Sequence, residues 1–547
     1  MPKLAMTSFH AYLSPAFPFK QRQHPFSARS RAHEYGGGAF TVADGEIYFS
    51  NDDDRRLYRL TPGGVPQAIT AAADRRYADV VIDRRMNRIL CVCEDHGAGA
   101  VAVNTIMAVD LGGTGQTRIL VSGHDFFASP RLSPDGLQLA WLAWDHPDMP
   151  WDGSECWLAD IGPDGMLENQ RCVAGSREES IFQPAFSPDG RLYFVSDRGN
   201  WWNLYRLRDG NVEALAPMPA EFGLPQWVFG QSTYAFESAK RMLCAYSRAG
   251  TWQLAVLDLE TLRLDTVTTP FTDFHAVTAA HGQAVVIAAS PLMLPAVVRI
   301  DLASQQHEVL RPCSRWVPEA DYTSVPRAIS YPSDNGEQAH GFYYSPVNRD
   351  YRAPAESKPP LLVLGHGGPT ASASSALSLK IQYWTSRGFA VIDVNYRGST
   401  GYGRDYRHKL DGMWGLADVQ DCIAGARYLV TQGLVDEQRL LIRGGSAGGY
   451  TTLCALTFHK TFCAGAVYYG VSDLEALAED THKFEAHYLD RLIGPYPARR
   501  DLYQDRSPLR HVDRMSCPVI FFQGLEDKVA LISPIRKDLH VIRCISI

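Results

Sequence analysis

Along the first three hundred residues, apolar and polar positions alternate in short segments, and no stretch keeps helical spacing for a useful length. One segment type, often closed by Asp, recurs: LYRL at Leu57, IMAVD at Ile106, CWLAD at Cys156, LYRL at Leu204, LAVLD at Leu254 and VVRID at Val297. The step is roughly 43 to 50 residues, the length of one propeller blade. Between the repeats lie DGEIYFSN (Asp44 to Asn51), SPDGLQLAWLAW (Ser133 to Trp144) and SPDGRLYFVSD (Ser187 to Asp197), each a tight turn feeding an alternating strand. A four-stranded blade buries its faces against its neighbours, which accounts for a constant step; a pair of β-sandwiches would not. Six units are visible. The expectation is an irregular segment over 1–28, too short for a whole blade and at most the remnant of a seventh, followed by a β-propeller over 29–320.

From about Tyr322 the pattern changes. AISYPSDNGEQAHGFYYSP still predicts a hairpin, but apolar strands then alternate with helix-length segments. PLLVLGHGGP (Pro360 to Pro369) is a buried strand running into a Gly-rich turn, and FAVIDVNYRGSTGYG (Phe389 to Gly403) is another strand and loop. GLADVQDCIAGARYLVTQG (Gly415 to Gly433) spaces its apolar residues for a helix and stops at Gly. RLLIRGGSAGGYTTLCALTFH reads as strand, tight turn and helix, and FCAGAVYYG and CPVIFFQG add two strands. The spacing predicts a doubly wound α/β domain over 321–547.

Composition narrows the function classes. A chain of 547 residues needs more than one core. A net charge of −7 argues against nucleic acid or an anionic membrane as partner. No run of about 18 apolar residues exists to span a bilayer, and the first residues carry no secretory pattern, so a cytoplasmic location is expected. Eleven cysteines are scattered without paired spacing, and LCVC at Leu90 to Cys93 lacks the second pair that a zinc site requires. Reduced, buried thiols are expected, with no metal.

The candidate chemistry lies in the second half. Gly444, Gly445, Ser446, Ala447 and Gly448 fit G-x-S-x-G between a strand and a helix. A serine hydroxyl becomes accessible there only if the chain turns sharply, and larger side chains would collide. The amide of Ala447 and, in the HGGP turn, the amide of Gly368 are the candidate donors to an oxyanion. His366 in that turn is expected to shape the loop, not to act as base. The loop after PVIFFQG carries Glu526 and Asp527, and Asp527 is the candidate acid. Such a site makes its own nucleophile and needs no cofactor.

HGGP, NYRGSTGYGRDY, WGLADVQD and RGGSAGGY, in that order behind a propeller, resemble the prolyl oligopeptidase family of serine peptidases, most closely its acylaminoacyl-peptidase and dipeptidyl-aminopeptidase branch. RSRAHEYGGGAF (Arg29 to Phe40), THKFEAHYLDRLIGPYP (Thr481 to Pro497) and FFQGLEDKV are also similar to that branch. The resemblance implies cleavage of short peptides behind a gating propeller, with Ser446 as nucleophile and Asp527 as triad acid. It leaves open whether Glu34 holds a substrate amino group or stabilises a turn, and whether the protein forms a homo-oligomer. In this family a further helix, strand and His-bearing loop follow the acid, whereas here the likeness stops after Val529. His540 stands only thirteen residues beyond Asp527, too few for that return path. His459, His482, His487 and His511 precede the acid and break the chain order. The expectation is therefore an α/β-hydrolase domain truncated at its C-terminus, lacking the triad His, with turnover lowered on the order of 10⁶-fold. A non-catalytic peptide-binding propeller protein and an esterase on the same fold are the alternatives.

Overall fold

The computed structural model describes residues 26–524 except 98, 100, 113, 114 and 315. The first half forms six antiparallel four-stranded sheets in sequence order. They run from Phe40–Ala43 through Gln67–Ala68, Arg75–Asp83 through Thr117–Val121, and Phe126–Leu132 through Leu167–Ser176. The remaining three are Ile181–Phe186 through Asn211–Ala214, Tyr234–Ser238 through Leu264–Val267, and Asp273–Ala280 through His307–Pro312. These are the six blades, and each recurring segment of the sequence is the third strand of its blade. Those strands are apolar on both faces because neighbouring blades cover them: Leu57, Ile106, Leu158, Leu204, Leu254 and Val298 are all buried. Cys91 and Cys93 lie within such a buried strand, and burial pushes the Cys93 thiol up to about 12. The ten described cysteines are all free thiols.

First strands of neighbouring blades touch: Phe40–Ala43 meets Arg75–Asp83, which meets Phe126–Leu132, which meets Ile181–Phe186, and Tyr234–Ser238 meets Asp273–Ala280. Pairing slips within the first strand of the second, third, fourth and sixth blades, at Ala78/Val81, Ala128/Arg131, Phe182/Ala185 and His275/Thr278. At each slip one non-glycine residue takes positive φ: Asp79 (56°), Ser129 (52°), Gln183 (50°) and Ala276 (51°). These are β-bulges, which bend a strand and increase its twist. Two of them also stitch blades together. Asp79 accepts from the Ser129 amide at 2.9 Å and from Arg131 at 3.0 Å, and the Gln183 side chain accepts from the Thr233 amide at 2.7 Å while donating to the Tyr234 carbonyl at 2.7 Å.

The second half is a seven-stranded sheet. The hairpin Arg327–Pro332 and Gln338–Tyr344 leads into Ala390–Asn395, then Leu361–Gly365, Leu440–Gly445, Ala464–Tyr468 and Val519–Phe522. The hairpin joins its neighbour antiparallel and all later pairs are parallel, as crossover helices require. The helix Ala417–Thr431 packs Val419, Cys422, Ile423, Ala426 and Leu429 inward at helical spacing and ends before Gly433 at φ 71°. Among the described residues no helix is long and apolar enough to cross a membrane.

The two halves are joined by buried polar contacts. The loop after Ala390–Asn395 leads into the short helix Arg404–His408, whose Arg404 and Arg407 reach one oxygen of propeller Asp197, at 2.7 and 2.6 Å. Glu221 of the propeller accepts from the Gly403 amide at 2.9 Å. Asp197→Ala would leave two guanidinium groups enclosed without their counter-charge, and truncating one partner of such a pair costs about 3–5 kcal/mol. We expect a loss of that size in denaturant unfolding; a change under about 1 kcal/mol would remove the interface from the stability account.

Candidate active site

Leu440–Gly445 leaves the centre of the sheet and turns at Ser446 into the helix Ala447–Phe458. Ser446 has φ 55° and ψ −123°, a strained conformation for a residue with a side chain. It persists because the backbone on either side is pinned. The Ser446 amide donates to the Tyr468 carbonyl at 3.0 Å, and the Ser446 carbonyl accepts from Gly449 and Tyr450 at 2.9 and 3.1 Å. The neighbouring glycines are required by space. A Cβ on Gly444 would lie 2.1 Å from the Gly448 carbonyl oxygen, and one on Gly448 would lie 2.2 Å from the Gly365 carbonyl oxygen.

The HGGP turn follows the adjacent strand Leu361–Gly365. Gly368 sits at φ 124°, where a Cβ would meet the Thr370 nitrogen at 2.7 Å. Its position is held from both halves of the protein. The Thr370 carbonyl accepts from propeller Trp227 Nε1 at 2.7 Å, and the Thr370 amide donates to the Tyr488 hydroxyl at 3.1 Å. Ala447 opens its helix, so its amide has no acceptor one turn back. Ser446, Ala447 and Gly368 line one cleft.

The His366 ring is engaged elsewhere. It stacks on Tyr396 with centroids 4.2 Å apart, Nδ1 lies 2.9 Å from the Gly367 carbonyl, and Nε2 lies 2.7 Å from Ser399 Oγ. Burial lowers its pKa to about 4, so it is neutral. A neutral ring donates once, and the Gly367 carbonyl can only accept; Nδ1 therefore carries the proton and Nε2 accepts from the Ser399 hydroxyl. Among the described residues no imidazole is hydrogen-bonded to the Ser446 hydroxyl. Asp527 and His540 lie outside the described residues, as does Glu526. The strand Val519–Phe522 pairs with Ala464–Tyr468, its Phe522 carbonyl accepting from the Tyr469 amide at 2.7 Å, and points toward the same end of the sheet as the serine turn.

One wall of the cleft escaped the sequence reading. Tyr35, from HEYGGG in the propeller half, and Glu485, from THKFEAHYLD in the hydrolase half, both line it. The Tyr35 hydroxyl donates to Glu485 Oε1 at 2.5 Å. Burial raises the Glu485 pKa, and the His482 imidazole lies 3.9 Å from its carboxylate. The signal was the glycine run: a Cβ on Gly36 would lie 1.9 Å from the Ser30 carbonyl oxygen and one on Gly37 would lie 2.4 Å from that of Phe229. Such close approach is how the segment threads between blades to reach the cleft. Glu34 turns away, pairing with Arg76 at 2.6 Å. Val471, Leu477 and Leu489 complete an apolar floor.

Comparisons with known proteins agree with this geometry. A family model described as the prolyl oligopeptidase family matches residues 375–536. The solved structure of a Mycobacterium tuberculosis puromycin-hydrolyzing peptidase is 39% identical, covers 98% of this chain and 86% of its own, and superposes with a TM-score of 0.92. A puromycin hydrolase structure is 36% identical, with 95% and 82% covered and a TM-score of 0.88. Among curated relatives, dipeptidyl aminopeptidase BIII of Pseudoxanthomonas mexicana is 34% identical over 32% of this chain and 26% of its own length. The acylamino-acid-releasing enzyme of Arabidopsis thaliana is 28% identical over 37% and 28%. The chain thus aligns with little more than a quarter of the length of those two curated relatives.

Proposed function

Since the chain belongs to the prolyl oligopeptidase family of serine peptidases, we propose that it hydrolyses short peptides through an acyl-enzyme on Ser446 and selects substrates with a free amino terminus. The Ser446 hydroxyl attacks the scissile carbonyl, and its oxygen becomes an oxyanion that accepts from the Ala447 and Gly368 amides. In this fold the acid follows the nucleophile in the chain, so Asp527 is assigned to orient the triad imidazole that takes the serine proton in this family, a role assigned here to no particular His. That proton passes to the leaving amine, and water then releases the acyl group.

The observation that carries the substrate reading is Glu485. A carboxylate enclosed beside a nucleophile, held by a tyrosine hydroxyl and facing a cleft, is costly unless something positive joins it. An α-ammonium group is the cation that a short peptide brings. The apolar floor beside it suits a hydrophobic side chain.

Glu485→Gln is expected to raise KM for peptides with a free amino terminus by about 10- to 100-fold, the worth of a charge-assisted hydrogen bond. N-acetylated versions of the same peptides should be unaffected. Puromycin is the first compound to assay, because two solved relatives are named for its hydrolysis. Equal losses on free and acetylated substrates would dismiss the ammonium reading. Binding of peptides with no turnover would favour a docking protein, and cleavage of esters but no amides an esterase.

A further inference from the structure

The register of two parallel strands brings two cysteines opposite one another at the end of the hydrolase sheet remote from the cleft. The parallel strands Ala464–Tyr468 and Val519–Phe522 pair Gly465 with Val519 and Tyr468 with Phe522. Carried back two residues, the same register sets Cys463 opposite Cys517. The ladder does extend that way, since the Gly465 amide donates to the Pro518 carbonyl at 3.0 Å, and the Cys463 amide is anchored on the Leu440 carbonyl at 2.9 Å. Neighbouring strands lie about 4.8 Å apart, inside the Cα separation of about 4.4–6.8 Å that a disulfide spans. Cys463 is exposed and Cys517 half-buried, whereas Cys91, Cys93, Cys156, Cys244, Cys422 and Cys454 are buried; Cys172 and Cys313, in the propeller half, are exposed as well, so it is the register that singles out this pair. Burial and the neighbouring Cys463 raise the Cys517 thiol, and Lys460 opposes them. Lys460 is fixed there by bonds from Nζ to the Arg514 carbonyl and Ser516 Oγ, each 2.9 Å.

We propose that Cys463 and Cys517 are a reversible modification site, closing to a disulfide by exchange with a small-molecule disulfide such as oxidised glutathione. One protein thiolate attacks a glutathione sulfur, breaking its S–S bond and expelling one glutathione. The other protein thiolate attacks the protein sulfur of the mixed disulfide, forming the Cys463–Cys517 bond and expelling the second. The protein gives up two electrons, the glutathione disulfide takes them, and the two thiol protons end on the released glutathiones. The bond staples Val519–Phe522, last of the described strands in the sheet, to its neighbour.

The test uses the full chain. It is incubated with oxidised glutathione, alkylated without reduction, digested and mapped, and its melting is followed in parallel. The expected map contains a peptide joining Cys463 to Cys517, with both protected from alkylation and released by dithiothreitol. Oxidation should raise Tm by at least about 4 °C, and Cys463→Ser or Cys517→Ser should each abolish both changes. A map in which the two thiols stay alkylatable, carry glutathione separately, or link to any other cysteine, Cys544 included, overturns the proposal. The map of the unaltered chain decides even where a serine variant folds poorly.

Discussion

Ser446→Ala is expected to abolish covalent labelling by a fluorophosphonate and any peptide turnover that runs through an acyl-enzyme, a loss on the order of 10⁶-fold where the whole triad is present. The structural reason is that no other hydroxyl occupies the turn between Leu440–Gly445 and Ala447–Phe458, where the Ala447 amide and the helix start converge. Folding should be untouched, since the pinning bonds of Ser446 are made by its backbone amide and carbonyl. Far-ultraviolet dichroism and Tm should therefore match the parent while labelling disappears. Labelling that persists in the alanine variant would move the nucleophile elsewhere and remove the basis for the oxyanion assignments to Ala447 and Gly368. Labelling is the sharper readout because it requires only an activated serine and does not depend on the choice of peptide.

Gly448→Ala is expected to do the opposite kind of damage, acting on the scaffold first. The added methyl would stand 2.2 Å from the Gly365 carbonyl oxygen and 2.8 Å from that of His366. Both are backbone atoms of the oxyanion strand and turn, so they cannot swing aside as a side chain would. The helix must lift away from Leu361–Gly365, which opens the packing of Ala447, Tyr450 and Leu453 and separates the two oxyanion donors. Overpacking of this kind costs typically about 1–3 kcal/mol, and more where backbone must move. A fall of at least about 3 kcal/mol in unfolding free energy, together with loss of fluorophosphonate labelling, is the expected outcome. A variant of parental stability that still labels would show that the elbow has more room than the contacts imply. Ser446→Ala and Gly448→Ala thus separate chemistry from architecture at adjoining positions.

The same two-sided view explains what could be read in the chain. Period-two alternation with a fixed step identified every third strand of the propeller, because those strands are covered on both sides by blades that repeat the same pattern. The serine turn was legible for a related reason. Its requirement is local: a strand, small residues, one hydroxyl and a helix within twenty residues. The helix Ala417–Thr431 and its Gly433 stop follow from spacing and backbone conformation alone. The bulges at Asp79, Ser129, Gln183 and Ala276 were not legible, since nothing in their side chains calls for positive φ. Blade curvature around the axis imposes it.

Glu485 shows the limit most clearly. THKFEAHYLD is a polar stretch in which no periodicity separates an enclosed carboxylate from a solvated one. Its partner Tyr35 is 450 residues away. Glu34 looked the better candidate from sequence, yet His33 and Glu34 both take positive φ (52° and 63°), which rotates Glu34 out to Arg76 and Tyr35 into the cleft. Likewise, the charges of Arg404, Arg407 and Asp197 read as ordinary surface residues until the two halves close over them.

By itself, then, the order of residues determined the architecture of each half and the place of the Ser446 turn, because both depend on contacts among near neighbours or on repeats of one pattern. Only the tertiary structure decided what surrounds that serine: the Trp227–Thr370–Tyr488 brace on the oxyanion turn and the Tyr35–Glu485 pair in the cleft wall. Those contacts join segments from opposite halves of the molecule. Their energy comes from exclusion of water at a surface that does not exist until both halves are folded and docked.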